Sequence, residues 1–322
     1  MKIIRGAPRP ADRLPTALTI GNFDGVHRGH QALLAQVAAA AHARGLVPAV
    51  MTFEPHPREL FAPQSAPARI ANLRDTVGAL AACGIQRMFV QHFNHRFAAL
   101  SAERFIEELV VRACQARWLA VGDDFRFGAR RPGDIALLRA AGPAAGFEVA
   151  QLAAVEEDGQ RISSSLVRAA LAAGDLARVR HLLGRPYVIS GRVLHGAKLG
   201  RTIGFPTLNL RMAHAWQRRR PAGHGIFAVR VRGLGQQPLP GVASLGLRPT
   251  VDDSGRWLLE VHLFDFTRSV YGQLIEVELV ERLRDEEKYD SVELLRQAID
   301  RDAARTRAIL RGATGETPGD RS

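Results

Sequence analysis

The chain changes its hydrophobic rhythm once along its 322 residues. From residue 17 to about 155, short apolar runs alternate with stretches whose apolar residues recur every three or four positions. This predicts strands at 17–20, 46–53, 87–90, 118–121 and 147–152, and helices at 31–44, 72–82 and 101–115. In 31–44, Leu33, Leu34, Val37, Ala38 and Ala41 share a face, and Gly45 stands where a C-cap ends such a helix. Asn72 and Ser101 are N-cap residues, with Asp75 in a first turn. Strand and helix alternating at this spacing predict a parallel sheet covered on both faces, with ligands beyond the carboxyl ends of its strands.

A further helix at 176–183 ends at Gly184, and at Pro186 the period becomes strand-like. Strands are expected at 187–193, 208–211, 226–232, 258–264 and 274–279, with Gly- and Pro-rich turns between them. A small antiparallel β-barrel follows. Ser291 would cap a last helix whose Leu294, Leu295, Ala298, Ile299, Ala303 and Ile309 cover that barrel. The expected division is a Rossmann-like α/β domain over 1–185, a barrel domain with its terminal helix over 186–310, and a flexible tail over 311–322.

Chemistry concentrates where the first strand meets the first helix. Residues 19–30 read Thr-Ile-Gly-Asn-Phe-Asp-Gly-Val-His-Arg-Gly-His. Gly21, Gly25 and Gly29 allow backbone to approach a ligand, and a helix N-terminus attracts phosphate. His27 and His30, three residues apart, can point two imidazoles at one phosphate and stabilise charge that grows in a transition state. An isolated histidine at a helix cap is more often a surface residue; His-x-Gly-His behind a strand reverses that judgement. The segments after the later strands are Glu54-Pro55-His56-Pro57, then Gly122 to Gly128, then Arg161-Ile-Ser-Ser-Ser165 with Arg168 one turn on. Serines at a helix start and an arginine fork suit phosphate, although a plain serine cap with a surface arginine has the same spelling.

The second regime has its own informative stretch, from His195 to Asn209. Its glycines fall one residue short of a Walker A spacing and Arg201 replaces the required lysine, which excludes a P-loop. A glycine flap can still wrap phosphates through backbone N–H groups. Thr207 and Asn209 alternate on a strand and face one side, where their oxygens suit Mg²⁺; a merely polar strand face is the plainer reading. Glu260, which opens Glu-Val-His-Leu-Phe-Asp-Phe, is a general-base candidate against the commoner solvated strand glutamate.

Composition narrows the setting. The net charge of +12 invites nucleic acid, yet all but three of the 44 basic residues are arginines, which suggests codon bias. Arg218–Arg220 is the one tight basic cluster, and aromatic residues make up only 6%, too few to interleave with it as a stacking surface. No apolar run spans a bilayer, and residues 1–6 lack the apolar core of a signal peptide. Cys83 and Cys114 sit in apolar helical contexts and read as thiols. A cytoplasmic protein without nucleic-acid or membrane partners is expected, and transient self-association stays open.

Taken together, the two halves resemble the bacterial bifunctional riboflavin kinase/FMN adenylyltransferase (FAD synthetase) family, from about Leu18 to Ala304. The resemblance rests on residues 21–30, 52–57, 122–128 and 162–165 with Arg168 in the first half. In the second it rests on 200–209, 246–250, Glu260 and Tyr271-Gly272. It implies ATP-dependent phosphorylation of riboflavin to FMN, then adenylylation of FMN to FAD with loss of pyrophosphate. It implies an adenylyltransferase ATP site of Gly21, Phe23, Asp24, Gly25, His27, His30, Ser164, Ser165 and Arg168, with flavin beside Pro55, Pro57, Asp124, Phe125 and Phe127. The kinase ATP site would use Gly196, Lys198, Gly200, Gly204, Pro206, Thr207 and Asn209, with Thr207 and Asn209 on Mg²⁺, and flavin beside Glu260 and Arg284. The chain departs from the family pattern at Ser165 (usually Thr), Ile226-Phe227 (Val-Tyr), Ser244 (Asn) and Tyr289 (Phe). Competing readings are a one-activity adenylyltransferase with a degenerate barrel, which intact Thr207, Asn209 and Glu260 oppose, and a class I aminoacyl-tRNA synthetase, which the scattered lysines cannot supply with a catalytic loop.

Overall fold

The computed structural model describes residues 1–152, 155–157, 159–195, 204–210, 221–247 and 257–312. Two compact units result: Met1–Pro67 with Thr76–Ser163, and Ala68–Asp75 with the chain from Ser164 onward.

The first unit is built on strands β1 (Lys2–Arg5), β2 (Thr16–Ile20), β3 (Val47–Glu54), β4 (Arg87–His92), β5 (Ala116–Gly122) and β6 (Glu148–Leu152). They form one sheet in the order β1-β4-β3-β2-β5-β6, every pairing parallel. Parallel strands are covered on both faces, which is why β2 is buried at every position and its sequence is a continuous run instead of an alternating one. Leu18, Ile20, Met51, Phe89, Leu119 and Val121 meet Val110 and Leu138 in a single core cluster. The order reverses at β2, which has β3 on one side and β5 on the other, so the crevice beyond its carboxyl end is the ligand position for such a sheet.

Helices α1 (Arg28–Arg44), α2 (Pro57–Phe61), α3 (Leu73–Ala82), α4 (His95–Ala98), α5 (Ala102–Arg104) and α6 (Ile135–Ala145) join the strands. Gly45 ends α1 with φ 62° and returns its N–H to the last turn, as expected of a C-cap glycine. The helix expected at 101–115 differs: after α5 it widens into a π-wound stretch, Phe105–Ala113, closed by Cys114 N–H on Leu109 O at 2.9 Å. Among the elements not expected from sequence are β1, α2, α4, α6 and, in the second unit, a strand at 239–247. Pro143 sits inside α6, which Asp134 caps. A small hairpin, β7 (Glu156–Glu157) with β8 (Gln160–Arg161), precedes the second unit.

The second unit begins with α7 (Ser164–Ala173) and α8 (Leu176–Leu183). Then β9 (Tyr187–Leu194), β10 (Leu208–Leu210), β11 (Gly225–Arg232), β12 (Leu239–Leu247), β13 (Trp257–Leu263) and β14 (Leu274–Arg284) close a six-stranded barrel in the order β10-β13-β12-β11-β14-β9. Phe227, Val229 and Val231 alternate along β11 with Ile226 and Ala228, which join Val242, Leu283 and Ala303 in a separate cluster. That second cluster lies under the terminal helix α9 (Val292–Gly312) at Ala303 and Ile309, as the sequence led us to expect, but Leu294, in the first turn, is 48% exposed and does not share in the cover. No helix among the described residues is long and apolar enough to cross a membrane. Neither Cys83 nor Cys114 forms a disulfide, and burial pushes the Cys114 thiol well above its ordinary range.

Candidate active sites

The loop leaving β2 is held in costly backbone shapes. Phe23 and Val26 adopt positive φ of 48° and 43°, beside Gly25 at 84°. Non-glycine residues enter that region at a price that cooperative packing must offset, and such strain gathers at functional sites. Phe23 and Val26 are each 1% exposed, so the packing is there. Gly29 is needed for closeness: a Cβ would lie 2.9 Å from Ile162 O and 3.1 Å from His27 Nδ1.

Helix α1 starts at Arg28, three residues earlier than its apolar period implied, and His27 is its N-cap. The backbone N–H of His30 donates to His27 Nδ1 at 3.3 Å. That bond needs a lone pair on Nδ1, so a neutral His27 carries its proton on Nε2. The two imidazoles stack at 3.8 Å with planes 19° apart, and the Phe23 ring lies 5.3 Å from His30. His30 Nδ1 is shut off from solvent without a hydrogen-bond partner. Burial, then His27 and Arg161, hold the His30 pKa well below the usual histidine range. Asp24 is buried in the same loop.

Beyond β3, the Glu54–Pro55 bond is cis. His56 caps α2, accepting from Arg58 N–H at 3.1 Å, while Glu59 accepts from His56 N–H at 3.1 Å. Pro55 and Pro57 are half-buried on either side. Beyond β5, Phe125 and Phe127 stack at 5.5 Å. Phe127 is 5% exposed and belongs to the core, its ring seated where a Gly133 side chain would be, at 2.7 Å. Asp124 is exposed and faces Arg161 at 3.5 Å. At the start of α7, Ser164 is half-buried, Ser165 is exposed, and Arg168 Nε donates to Ala68 O at 2.6 Å.

In the barrel, Gly196, Lys198 and Gly200 lie outside the described residues. Gly204 turns at φ 88° just ahead of Pro206. The register then builds one row: Asn209 opposite Glu260, Glu260 opposite Ser244, Ser244 opposite Ile226, and Ile226 opposite Arg284. Residues opposite each other share a face, so Asn209, Glu260 and Ser244 point the same way on neighbouring strands, and Arg284 ends the row beside a β-bulge. Arg284 is fixed from the far side, its Nη2 2.8 Å and Nε 3.0 Å from the carboxylate of Asp302 on α9. Sequence reading passed over two neighbours of the row. His262 Nδ1 lies 3.0 Å from Pro206 O. Glu286 accepts from Ser244 Oγ at 2.7 Å and rests against Gly246. His262 is detectable from sequence by its i+2 spacing from Glu260, whereas the Glu286 contact has no local signal.

A parallel sheet with a strained strand-to-helix loop and stacked histidines, followed by a closed barrel that aligns amide, carboxylate and guanidinium, defines a two-unit transferase of the nucleotide-using kind. Comparison with known proteins agrees. A family model described as FAD synthetase matches residues 9–166, and one described as riboflavin kinase matches 183–310. The "Bifunctional riboflavin kinase/FMN adenylyltransferase" of Escherichia coli strain K12 is 48% identical over 312 residues, covering 96% of this chain and 98% of the relative. The protein of that name from Pseudomonas fluorescens is 45% identical over 311 residues, covering 96% and 98%. A crystal structure of a Streptococcus pneumoniae protein described as a macrolide-efflux protein superposes with a TM-score of 0.74 at 30% identity, covering 95% of this chain and 98% of the other. The chain belongs to the bifunctional riboflavin kinase/FMN adenylyltransferase family.

Proposed function

We propose that the chain makes FMN from riboflavin and ATP on its barrel, and FAD from FMN and a second ATP at its parallel sheet, with residues 186–310 and 1–185 as the respective functional domains. The observation that carries the kinase half is the direct pairing of Asn209 with Glu260 in the barrel register. Glu260 takes the proton of the riboflavin 5′-hydroxyl as its oxygen bonds to the γ-phosphorus and ADP departs. Thr207 and Asn209 offer hard, neutral oxygens, and Asn209 is buried beside the base; this set fits Mg²⁺ shared with phosphates. When bound, the ion neutralises phosphate charge. Glycines 196, 200 and 204, Lys198 and Pro206 complete the ATP site in this reading, and Arg284 borders the flavin.

At the sheet, an FMN phosphate oxygen bonds to the α-phosphorus of ATP and pyrophosphate leaves. The FMN phosphate is already ionised, so the protein supplies placement and charge stabilisation without a nucleophile of its own. His27 donates through Nε2, His30 assists it, and Gly21, Phe23, Asp24 and Gly25 shape the cradle. Ser164, Ser165 and Arg168 are assigned to the same ATP, and Pro55, Pro57, Asp124, Phe125 and Phe127 to the flavin. Phe127 acts from the core by backing Phe125. The cytoplasm as the place of both reactions, with no nucleic-acid partner, belongs to the same proposal.

Incubation with riboflavin, ATP and Mg²⁺, followed by chromatography, should show FMN and then FAD. Glu260→Gln should fail on riboflavin yet adenylate supplied FMN; His30→Ala should stop at FMN. Undiminished riboflavin phosphorylation by Glu260→Gln refutes the base assignment.

A further inference from the structure

Glu260 and His262 lie two residues apart on β13 and project from the same face. β10 pairs with β13 only at Leu208↔Val261, Asn209↔Glu260 and Leu210↔Leu259. One step before Leu208 the ladder has ended, and Pro206 and Thr207 have no strand bonding of this kind to define them. A side chain takes over there. His262 Nδ1 lies 3.0 Å from Pro206 O. A carbonyl oxygen only accepts, so Nδ1 carries the proton in this contact. The ring is steadied by Phe205, edge-on at 5.3 Å, and by Phe264 at 6.0 Å.

We infer that His262 is a positioning residue of the kinase: its Nδ1–H clamps the Pro206 carbonyl and so fixes Thr207, and with it the Thr207–Asn209 oxygen pair, for Mg²⁺ and ATP phosphate. The inference rests on the metal role proposed for those two residues. It explains why an imidazole stands at this strand position. An aromatic hydrocarbon ring would keep the edge-on contacts and lose the bond. The hydrogen bond acts one peptide away from a ligand atom, and small displacements of that kind are costly in a site that works by placement.

The test uses the full chain with His262→Phe, His262→Asn and, as reference, Asn209→Ala. His262→Phe should raise the Mg²⁺ half-saturation and the KM for ATP of riboflavin phosphorylation about tenfold, the size expected for one lost hydrogen bond. Its kcat should stay within about threefold, and FMN adenylylation by the same protein should be unchanged. His262→Asn, whose amide N–H stands near the Nδ1 position, should restore Mg²⁺ dependence to within about threefold of the wild type. Long-range proton–nitrogen NMR of histidine-labelled protein, assigned by difference from His262→Phe, should show the Nδ1–H tautomer or the imidazolium. Wild-type Mg²⁺ dependence in His262→Phe alone overturns the positioning role, as does an Nε2–H tautomer or failure of His262→Asn to improve on His262→Phe. Wild-type Mg²⁺ dependence in both Asn209→Ala and His262→Phe overturns the metal reading first and this inference with it.

Discussion

His27 holds up the very helix turn that carries His30: its Nδ1 accepts the His30 N–H at 3.3 Å while the two rings lie stacked at 3.8 Å. One nitrogen of His27 is therefore committed to structure, and the proposed donor role falls to Nε2. The two duties separate by substitution. In His27→Asn the amide oxygen falls near the Nδ1 position and keeps the cap, so thermal stability should stay within about 1 kcal/mol of the wild type. No donor remains at the Nε2 position, and FAD formation should fall by about 10²- to 10³-fold while FMN formation persists. Melting curves and product chromatography on one preparation check both halves. Wild-type FAD output from His27→Asn removes the donor role.

Asp75 gives a stability prediction with a definite sign. Its carboxylate accepts from Ser190 N–H at 3.2 Å, from the Ser190 hydroxyl and from Asn72 Nδ2 at 2.7 Å. Burial nevertheless pushes its pKa from 3.8 up to about 6; the Ser190 bonds pull it down, and Glu276, paired opposite Ser190, pushes it up again. The folded chain thus holds a proton that the unfolded chain has released between about pH 4 and 6. The Asp75 contribution to stability falls as pH rises through that window, by an order-of-magnitude 2–3 kcal/mol, and is level above it. Glu276→Gln should raise stability above pH 6 by less than about 1 kcal/mol, because Glu276 is exposed and screened, and should do nothing at pH 4. Urea titrations at the two pH values test this, and a gain at pH 4 as large as that at pH 7 would refute it.

Gly246 is a packing requirement. Its φ is not in the left-handed region, but an added Cβ would occupy the place of the Glu286 carboxylate. Gly246→Ala should eject that carboxylate from its 2.7 Å bond to Ser244, the residue opposite Glu260, and slow riboflavin phosphorylation several-fold without touching adenylylation. Once Glu286→Ala has removed the obstacle, Gly246→Ala should cost little more. Losses that simply multiply in the double variant would contradict this account.

Much of the candidate site was legible because its residues sit where periodicity breaks. The end of β2, the cis-proline turn after β3 and the Pro-Thr-Leu-Asn element that enters β10 all interrupt strong local patterns. What escaped notice lacked a local pattern. β1 has only four residues with charges at both ends. β12 contains Pro240, Gly241 and Gly246, which read as turn residues, yet Pro240 pairs opposite Arg230 in the ladder and is tolerated there. Helix α1 was expected to start too late because its first turn is spelled in glycine and histidine, which carry no apolar signal. Arg168 and Arg284 stand out in the sequence as candidate phosphate and flavin contacts, but their bonds to Ala68 O and Asp302 depend on tertiary placement that no local spacing encodes.

The course of the chain sets how this molecule must be taken apart. Residues Ala68–Asp75 belong with the second unit: Ile70 O accepts the Tyr187 hydroxyl at 2.8 Å, and Asn72 and Asp75 grip Ser190. A scissors cut at 185/186 would leave that octapeptide on the wrong fragment and strip β9 of its carbonyl, amide and carboxylate partners. During synthesis, likewise, these eight residues leave the ribosome more than a hundred positions ahead of the strand they clasp. Dissection of the polypeptide into working halves calls for a graft, not a truncation.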